Sequence, residues 1–171
     1  MSGSSRVWKF GDDVNTDLII PGKYLDNYDP AHLASHAMEG VSKEFYSTVR
    51  PGDVIVAGEN FGCGSSREQA VVAIKGCGVG AVLAKSFARI FYRNAINLGL
   101  PVLISPDSCA LLEDGDKIDF DRGRLELRTS GGKSVRIEPV PPHLKRILDE
   151  GGLVPYIRIK LEQKEVARLR L

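Results

Sequence analysis

Through residue 104, short apolar bursts alternate with amphipathic stretches, and this alternation predicts a strand–helix–strand core. Residues 7–10 read as a strand that runs into a polar loop, Gly11-Asp12-Asp13-Val14-Asn15-Thr16-Asp17. Asp29-Pro30 opens a helix: Asp caps it, and Pro takes the first helical position, where its missing N–H is harmless. Leu33, Ala37 and Met38 give that helix its apolar face, and Gly40 marks its end. After the Pro51-Gly52 turn, residues 53–57 (D-V-I-V-A) have the continuous apolar run of a buried strand. A glycine-rich loop over 58–69 then enters a helix carrying Ala70, Val71, Ala73 and Ile74, which stops near Gly76-Cys77-Gly78. Residues 81–84 form another buried strand. Residues 87–98 form a helix ended by Gly99, and Pro101 leads into Val102-Leu103-Ile104.

The pattern changes after Asp114-Gly115. Residues 117–120, 125–128 and 135–138 read as short alternating strands, with Gly131-Gly132 as a hairpin turn between the last two. Residues 142–150 make an amphipathic helix with Leu144, Ile147 and Leu148 inward, closed by Gly151-Gly152. From Tyr156 onward apolar and basic residues alternate, which fits a strand or a frayed end. The sum is a parallel or mixed α/β core with added antiparallel strands, a layered β/β/α domain. Residues 1–5 are expected to be a flexible tail and 6–171 a single domain.

Composition narrows the function classes. A length of 171 residues suits one domain. With 23 Lys+Arg against 22 Asp+Glu, net charge gives no reason to expect nucleic acid or an acidic membrane as partner. The longest apolar run, 76–84, is half a membrane span and carries three glycines. The opening Met1-Ser2-Gly3-Ser4-Ser5-Arg6 lacks the apolar stretch of a secretory signal. Cys63, Cys77 and Cys109 form neither a C-x-x-C pair nor an even disulfide framework. A cytoplasmic chain that binds no iron–sulfur cluster or structural zinc by itself is the expectation.

The strongest local feature is the turn over 60–68. It combines Gly62, Gly64, Ser65 and Ser66 with a helix N-terminus, whose free N–H groups and partial positive charge suit a phosphate or carboxylate. Arg67 adds a planar fork able to grip a carboxylate with two hydrogen bonds. The same residues also fit a structural role. Ser65 with Glu68, or Ser66 with Gln69, makes a capping box, and the glycines serve a tight turn. The pattern alone leaves both open. Glycines at 58, 62 and 64 do not give G-x-G-x-x-G, no G-K-[ST] follows, and G-x-S-x-G is absent. His32 and His36 share a helix face that could grip a metal, but without H-E-x-x-H a packed face is the simpler reading. Cys63 reads as space-filling, and Cys77 and Cys109 as buried apolar residues. Arg89 and Arg93 share a face that is either solvated or lines a polar cleft or subunit interface.

Four motifs taken together go further: F-G-D-D-V-N-T-D (10–17), N-F-G-C-G-S-S-R-E (60–68), S-F-A-R-I-F-Y-R-N-A-I-N-L-G-L (86–100) and E-G-G-L (150–153). In this order they resemble the small-subunit family of 3-isopropylmalate dehydratase, the swivel-domain part of the aconitase superfamily. The resemblance spans residues 6 to 160, and the chain length suits a stand-alone small subunit. It implies the swivelling β/β/α three-layer domain of the aconitase C-terminus. It also implies a hydro-lyase that interconverts 2- and 3-isopropylmalate through an alkene, a step of leucine synthesis. A large subunit is the implied partner, in a heterodimer or heterotetramer, carrying a 4Fe–4S cluster. The substrate is a small dicarboxylate, and the isolated subunit could self-associate.

Carried over by position, Ser65 is the catalytic base as its alkoxide and Asp17 supports the active-site network. Gly64, Ser66 and Arg67 hold substrate carboxylate, and Lys23, Tyr24 and Leu25 lie in the substrate-selecting segment. Gln69 departs from the family's frequent His. Asp26 stands where homoaconitase-type chains tend to carry Arg after Y-L. An acidic residue there would repel an extra carboxylate, which favours an apolar γ-substituent. Two alternatives remain: a sister hydro-lyase (homoaconitase or a methylated-malate dehydratase), and a non-catalytic anion- or partner-binding domain.

Overall fold

Each apolar burst in the first part of the chain becomes a parallel strand because helical segments return the chain to the same edge of the sheet. The computed structural model describes residues 5–168 apart from 130 and 133. In chain order the elements are β1 (Ser5–Lys9), α1 (Thr16–Ile19), a 3-10 turn (Gly22–Tyr24), α2 (Pro30–Ser35), α3 (Phe45–Thr48), β2 (Val54–Ala57), α4 (Glu68–Gly76), β3 (Ala81–Ala84) and α5 (Arg89–Leu98). There follow β4 (Val102–Ile104), α6 (Ser108–Leu111), β5 (Lys117–Asp121), β6 (Glu126–Thr129), α7 (Pro142–Asp149) and α8 (Leu153–Arg168). One sheet runs β4-β3-β2-β1-β5-β6. Strands β1 to β4 are parallel, β5 is antiparallel to β1, and β6 is antiparallel to β5.

The run V-I-V-A of β2 is apolar throughout because both of its faces are covered. Ile55 and Ala57 pack under the helices, with Leu33, Val71, Ile74, Phe91 and Ile96. Val54 and Val56 point to the other face, where Leu83, Leu103 and Leu112 meet Ile118, Leu127 and Val135 from the antiparallel end. This is the β/β/α layering expected. Among the described residues no helix is long and apolar enough to cross a membrane.

Several local expectations need correction. Residues 135–138 do not form a strand. Among the described residues a single bridge, Arg128 with Ser134, is all that pairs there. The backbone groups turn to other partners: the Arg136 carbonyl accepts from Ser105 Oγ at 2.7 Å, and Glu138 N–H donates to the Ile104 carbonyl at 2.8 Å. Residues 169–171 lie outside the described residues, and 156–168 are part of α8 rather than a strand or a frayed end. Its Arg, Lys, Glu and Gln are good helix formers, and Val154, Ile157 and Leu161 fall on one exposed helical face. Ser5, assigned above to a flexible tail, pairs in the sheet opposite Ile118. Helix α2 keeps the expected Asp29 cap, whose carboxylate accepts from His32 N–H at 2.9 Å, but it ends at Ser35 rather than near Gly40. Helix α5 starts at Arg89 rather than Phe87, because Phe87 is held beside Phe61 in a parallel bridge.

Asp53, at the head of β2, is buried and ties β1 to β2. Its carboxylate accepts from Arg6 N–H at 2.9 Å, Trp8 Nε1–H at 3.1 Å and Arg50 N–H at 3.0 Å. Removing it leaves these donors short of a partner. Asp53→Ala is therefore expected to destabilise the chain by about 3 kcal/mol, a drop in Tm of roughly 6–12 °C by calorimetry.

Candidate active site

Three adjacent parallel strands, β1, β2 and β3, release the chain at their carboxyl ends into segments 10–17, 58–67 and 85–88. That edge is where an open α/β sheet presents its loops to a ligand. Backbone hydrogen bonds join the three segments. Thr16 N–H donates to the Cys63 carbonyl and Gly62 N–H to the Val14 carbonyl, both at 2.8 Å. Phe61 N–H reaches the Ser86 carbonyl at 3.0 Å, and Ala88 N–H returns to the Phe61 carbonyl at 2.9 Å. Side chains complete the seam. Asp12 accepts from Glu59 N–H at 2.7 Å, Asp13 from Asn60 Nδ2 at 2.8 Å, and Ser86 Oγ from Asn60 N–H at 2.8 Å. Three of the four sequence motifs are therefore one structural unit.

The two glycines of the loop have separate jobs. Gly62 has φ +79°, and a Cβ there would lie 2.2 Å from Phe91 Cγ, so only glycine lets the loop rest on α5. Gly64 has φ +92° and passes 3.3 Å, measured from an added Cβ, from Thr16 Oγ1. Between these bends and α4, a tight turn forms in which Arg67 N–H donates to the Ser65 carbonyl at 2.8 Å.

That turn overturns the capping-box reading. It delays helical geometry until Glu68, so Arg67 becomes the N-cap and no side chain caps the helix. Ser65 and Ser66 sit ahead of the helix, exposed, and neither hydroxyl has a partner among the described residues. They are left beside the helix N-terminus, where N–H groups lack intrahelical partners and the dipole favours an anion.

Arg67 is half-buried and points back across the loop. Its Nη1 meets Asp17 Oδ1 at 2.5 Å and the Ile20 carbonyl at 3.4 Å. Asp17 stands in the first turn of α1, a helix capped by Asn15, whose Oδ1 accepts from Leu18 N–H at 2.9 Å. The structure thus brings together Asp17, Gly64, Ser65, Ser66 and Arg67. Segment 22–25 lies alongside: a Cβ on Gly22 would stand 3.7 Å from Arg67 Nη2 and 3.9 Å from Asp17 Oδ1. Lys23 and Tyr24 turn toward Glu39, and Leu25 is half-buried against the helix-side core. Asp26 is exposed and has no partner among the described residues.

A hollow of about 380 Å³ opens beside Ser65. Gly62, Gly64 and Ser65 form one wall; Ala88, Arg89, Ile90 and Arg93 form the other. Arg89 and Arg93 line this hollow, which fits the solvated face and the polar cleft alike. Both side chains are exposed, and neither is paired among the described residues.

The histidine pair is packed rather than set for a metal. The His36 ring stacks on Tyr24 at 3.5 Å between centroids, and His32 meets both rings edge-on. Burial pushes the Cys63 thiol up, as does the nearby Asp13 carboxylate, so it is a poor nucleophile at neutral pH. Cys77 is buried and pushed up to about 12, while Cys109 is half-buried. Sequence reasoning missed Glu39 and Tyr28. Glu39 lies beyond the end of α2, and no helical spacing signals its contacts with Lys23 and Tyr24, while the Tyr28 hydroxyl finds Glu68 forty residues on, at 3.0 Å.

Residues 34–107 match the family described as the aconitase C-terminal domain. Over 167 residues the chain is 44% identical to a 3-isopropylmalate dehydratase small subunit of Thermodesulfovibrio yellowstonii, covering 97% of this chain and 99% of that protein. The chain belongs to the 3-isopropylmalate dehydratase small-subunit family. A methanogen homoaconitase small subunit of Methanocaldococcus jannaschii is 56% identical over 156 residues, covering 90% of this chain and 89% of that one. A crystal structure of a 3-isopropylmalate dehydratase from the same organism superposes with a TM-score of 0.87 at 52% identity, covering 95% of this chain and 97% of that chain. It has the fold expected above, the aconitase-type β/β/α domain. Members of this family are named as small subunits, so a larger partner subunit goes with them.

Proposed function

We propose that the chain is the small subunit of a hydro-lyase that interconverts 2-isopropylmalate and 3-isopropylmalate by dehydration and rehydration, with Ser65 as its base. The observation that carries this is the pair of unpartnered hydroxyls, Ser65 and Ser66, at the N-terminus of α4 beside the Arg67–Asp17 pair.

The substrate has a weakly acidic C–H beside a carbon bearing a poor leaving group, so a strong base and an acid are both needed. In this reading Arg67, Ser66 and the Gly64 backbone hold a carboxylate. The helix N-terminus and Arg67 stabilise negative charge on Ser65 Oγ. The Ser65 alkoxide takes the proton from carbon, the electron pair forms the alkene, and the hydroxyl leaves the adjacent carbon as water after protonation from the partner's side. Between the two half-reactions the Ser65 hydroxyl exchanges its proton with water, and rehydration in the opposite sense delivers a proton from Ser65 to the other carbon, so no atom is gained or lost. Asp17 holds the Arg67 fork in place.

This chain's cysteines do not fit a 4Fe–4S cluster. The Cys77 thiol is buried and strongly protonated, and among the described residues no three His, Cys, Asp or Glu side chains are grouped to hold a metal ion. We infer from the family resemblance that the cluster belongs to the large subunit. That subunit docks over the hollow walled by Ser65, Arg89, Ile90 and Arg93, where the unpaired arginines suit acidic groups.

A second reading, homoaconitase, draws support from the 56% identity to the methanogen protein. Asp26 weighs against it, because a carboxylate there repels the additional carboxylate of that substrate. The test is to assemble the chain anaerobically with a cluster-loaded large subunit and follow alkene absorbance with isopropylmalate and homocitrate in parallel. Turnover of isopropylmalate with little of homocitrate is expected. Preference for homocitrate would replace the first reading by the second, and silence with both would leave a binding domain.

A further inference from the structure

We propose that Glu39 is a positioning residue that sets the substrate preference of this site, by clamping segment 22–28 against the Arg67–Asp17 pair. The inference rests on the hydro-lyase reading above and deepens it.

One carboxylate gathers three donors from two elements. Glu39 Oε1 accepts from the Tyr24 hydroxyl at 2.9 Å and from Lys23 Nζ at 3.3 Å, and Oε2 lies 2.9 Å from His36 Nδ1. The stacking of Tyr24 on His36, with 7° between the ring planes, closes the same cluster from the side. His36, then Tyr24 and Lys23, hold the Glu39 carboxyl below the usual carboxylate range, so it stays an acceptor for all of them near neutral pH.

The clamp is anchored where the chemistry is. Met38 N–H donates to the Ile19 carbonyl at 2.7 Å and Gly40 N–H to the Leu18 carbonyl at 3.1 Å, so Glu39 is strapped to α1, the helix that carries Asp17. Met38 is fully buried, and a Cβ on Gly40 would come within 2.5 Å of Leu18 Cα, which leaves this strap no room to slide. At the far end of the segment, the Tyr28 hydroxyl donates to Glu68 in the first turn of α4. Gly22 abuts Arg67 and Asp17. A diacid held by Arg67 and Ser66 therefore meets the segment between Gly22 and Tyr28 with the rest of its body. The half-buried Leu25 and the unpaired Asp26 lie within that segment. Where they stand depends on the two attachments, and of these the Glu39 cluster is the less exposed.

The test compares Glu39→Ala and Glu39→Gln with the unaltered chain, each assembled with the large subunit. Glu39→Ala is expected to narrow the isopropylmalate-to-homocitrate ratio of kcat/KM about tenfold, through KM, with kcat for isopropylmalate changed by no more than about threefold. Glu39→Gln retains an oxygen for Tyr24 and should recover most of the ratio. Amide exchange on the assembled protein gives a readout independent of turnover. Tyr24 N–H and Leu25 N–H bond to the Pro21 and Gly22 carbonyls, and in Glu39→Ala both are expected to exchange about tenfold faster while β2 is unchanged. An unchanged ratio overturns the inference. So does unchanged exchange at Tyr24 and Leu25, or a loss of kcat shared by both substrates together with a fall in Tm. If the unaltered complex turns over neither diacid, the hydro-lyase reading has failed, and the exchange result still decides whether Glu39 holds the segment.

Discussion

Ser65→Ala is expected to lower turnover of the assembled enzyme by about 10³- to 10⁴-fold, the scale of a lost general base. Two features make the substitution clean. The hydroxyl has no partner among the described residues, so its loss leaves no orphaned donor or acceptor inside the chain. The residue is exposed and lies ahead of α4, where Ala strains no helix. Tm and association with the large subunit should both match the unaltered chain. Steady-state turnover measured beside a binding isotherm separates a lost base from a lost interface. A variant that binds its partner normally and keeps full turnover would move the base to another residue.

Arg67→Lys should have the next largest effect, about 10²-fold in kcat/KM, carried mostly by KM. The substitution keeps the charge and removes the fork. In the structure one arm of the guanidinium is committed to Asp17 and the Ile20 carbonyl, which leaves the other nitrogens for a ligand. A lysine ammonium cannot meet Asp17 and a substrate carboxylate in the same planar arrangement. Kinetics across a range of substrate concentration would show KM rising first. A fall in kcat at unchanged KM would mean that Arg67 acts on the transition state rather than on binding.

Much of this was legible along the chain because the signals were local. The D-V-I-V-A run declared a strand buried on both faces, Asp29-Pro30 declared a capped helix, and the glycines of the 60–68 turn declared sharp bends ahead of a helix. The capping-box reading failed because a backbone turn at Ser66 competes with helix geometry, and the sequence pattern is the same either way. The tail after Tyr156 failed for a related reason. Alternation of apolar and basic residues suits a strand only where an edge is there to pair with, and here the chain instead continues as the helix α8. Residues 135–138 show the converse, a strand-like pattern whose backbone partners lie elsewhere. What no local pattern could reveal are the long-range contacts: Asp17 with Arg67, Tyr28 with Glu68, and Glu39 with Lys23 and Tyr24. Each joins residues that share no periodicity, so only the folded chain brings them together.

The claim on which the account turns is that this chain supplies the base that removes a proton from carbon. The direct measurement is deuterium wash-in: the assembled enzyme in heavy water with 2-isopropylmalate, followed by proton NMR at the carbon-bound positions. The complex of the unaltered chain should replace carbon-bound hydrogen by deuterium as it turns over. The Ser65→Ala complex, with its partner fully loaded, should exchange slower by the same 10³- to 10⁴-fold. Exchange at the unaltered rate with Ser65→Ala, or with the large subunit alone, would contradict the account and place the base on the partner.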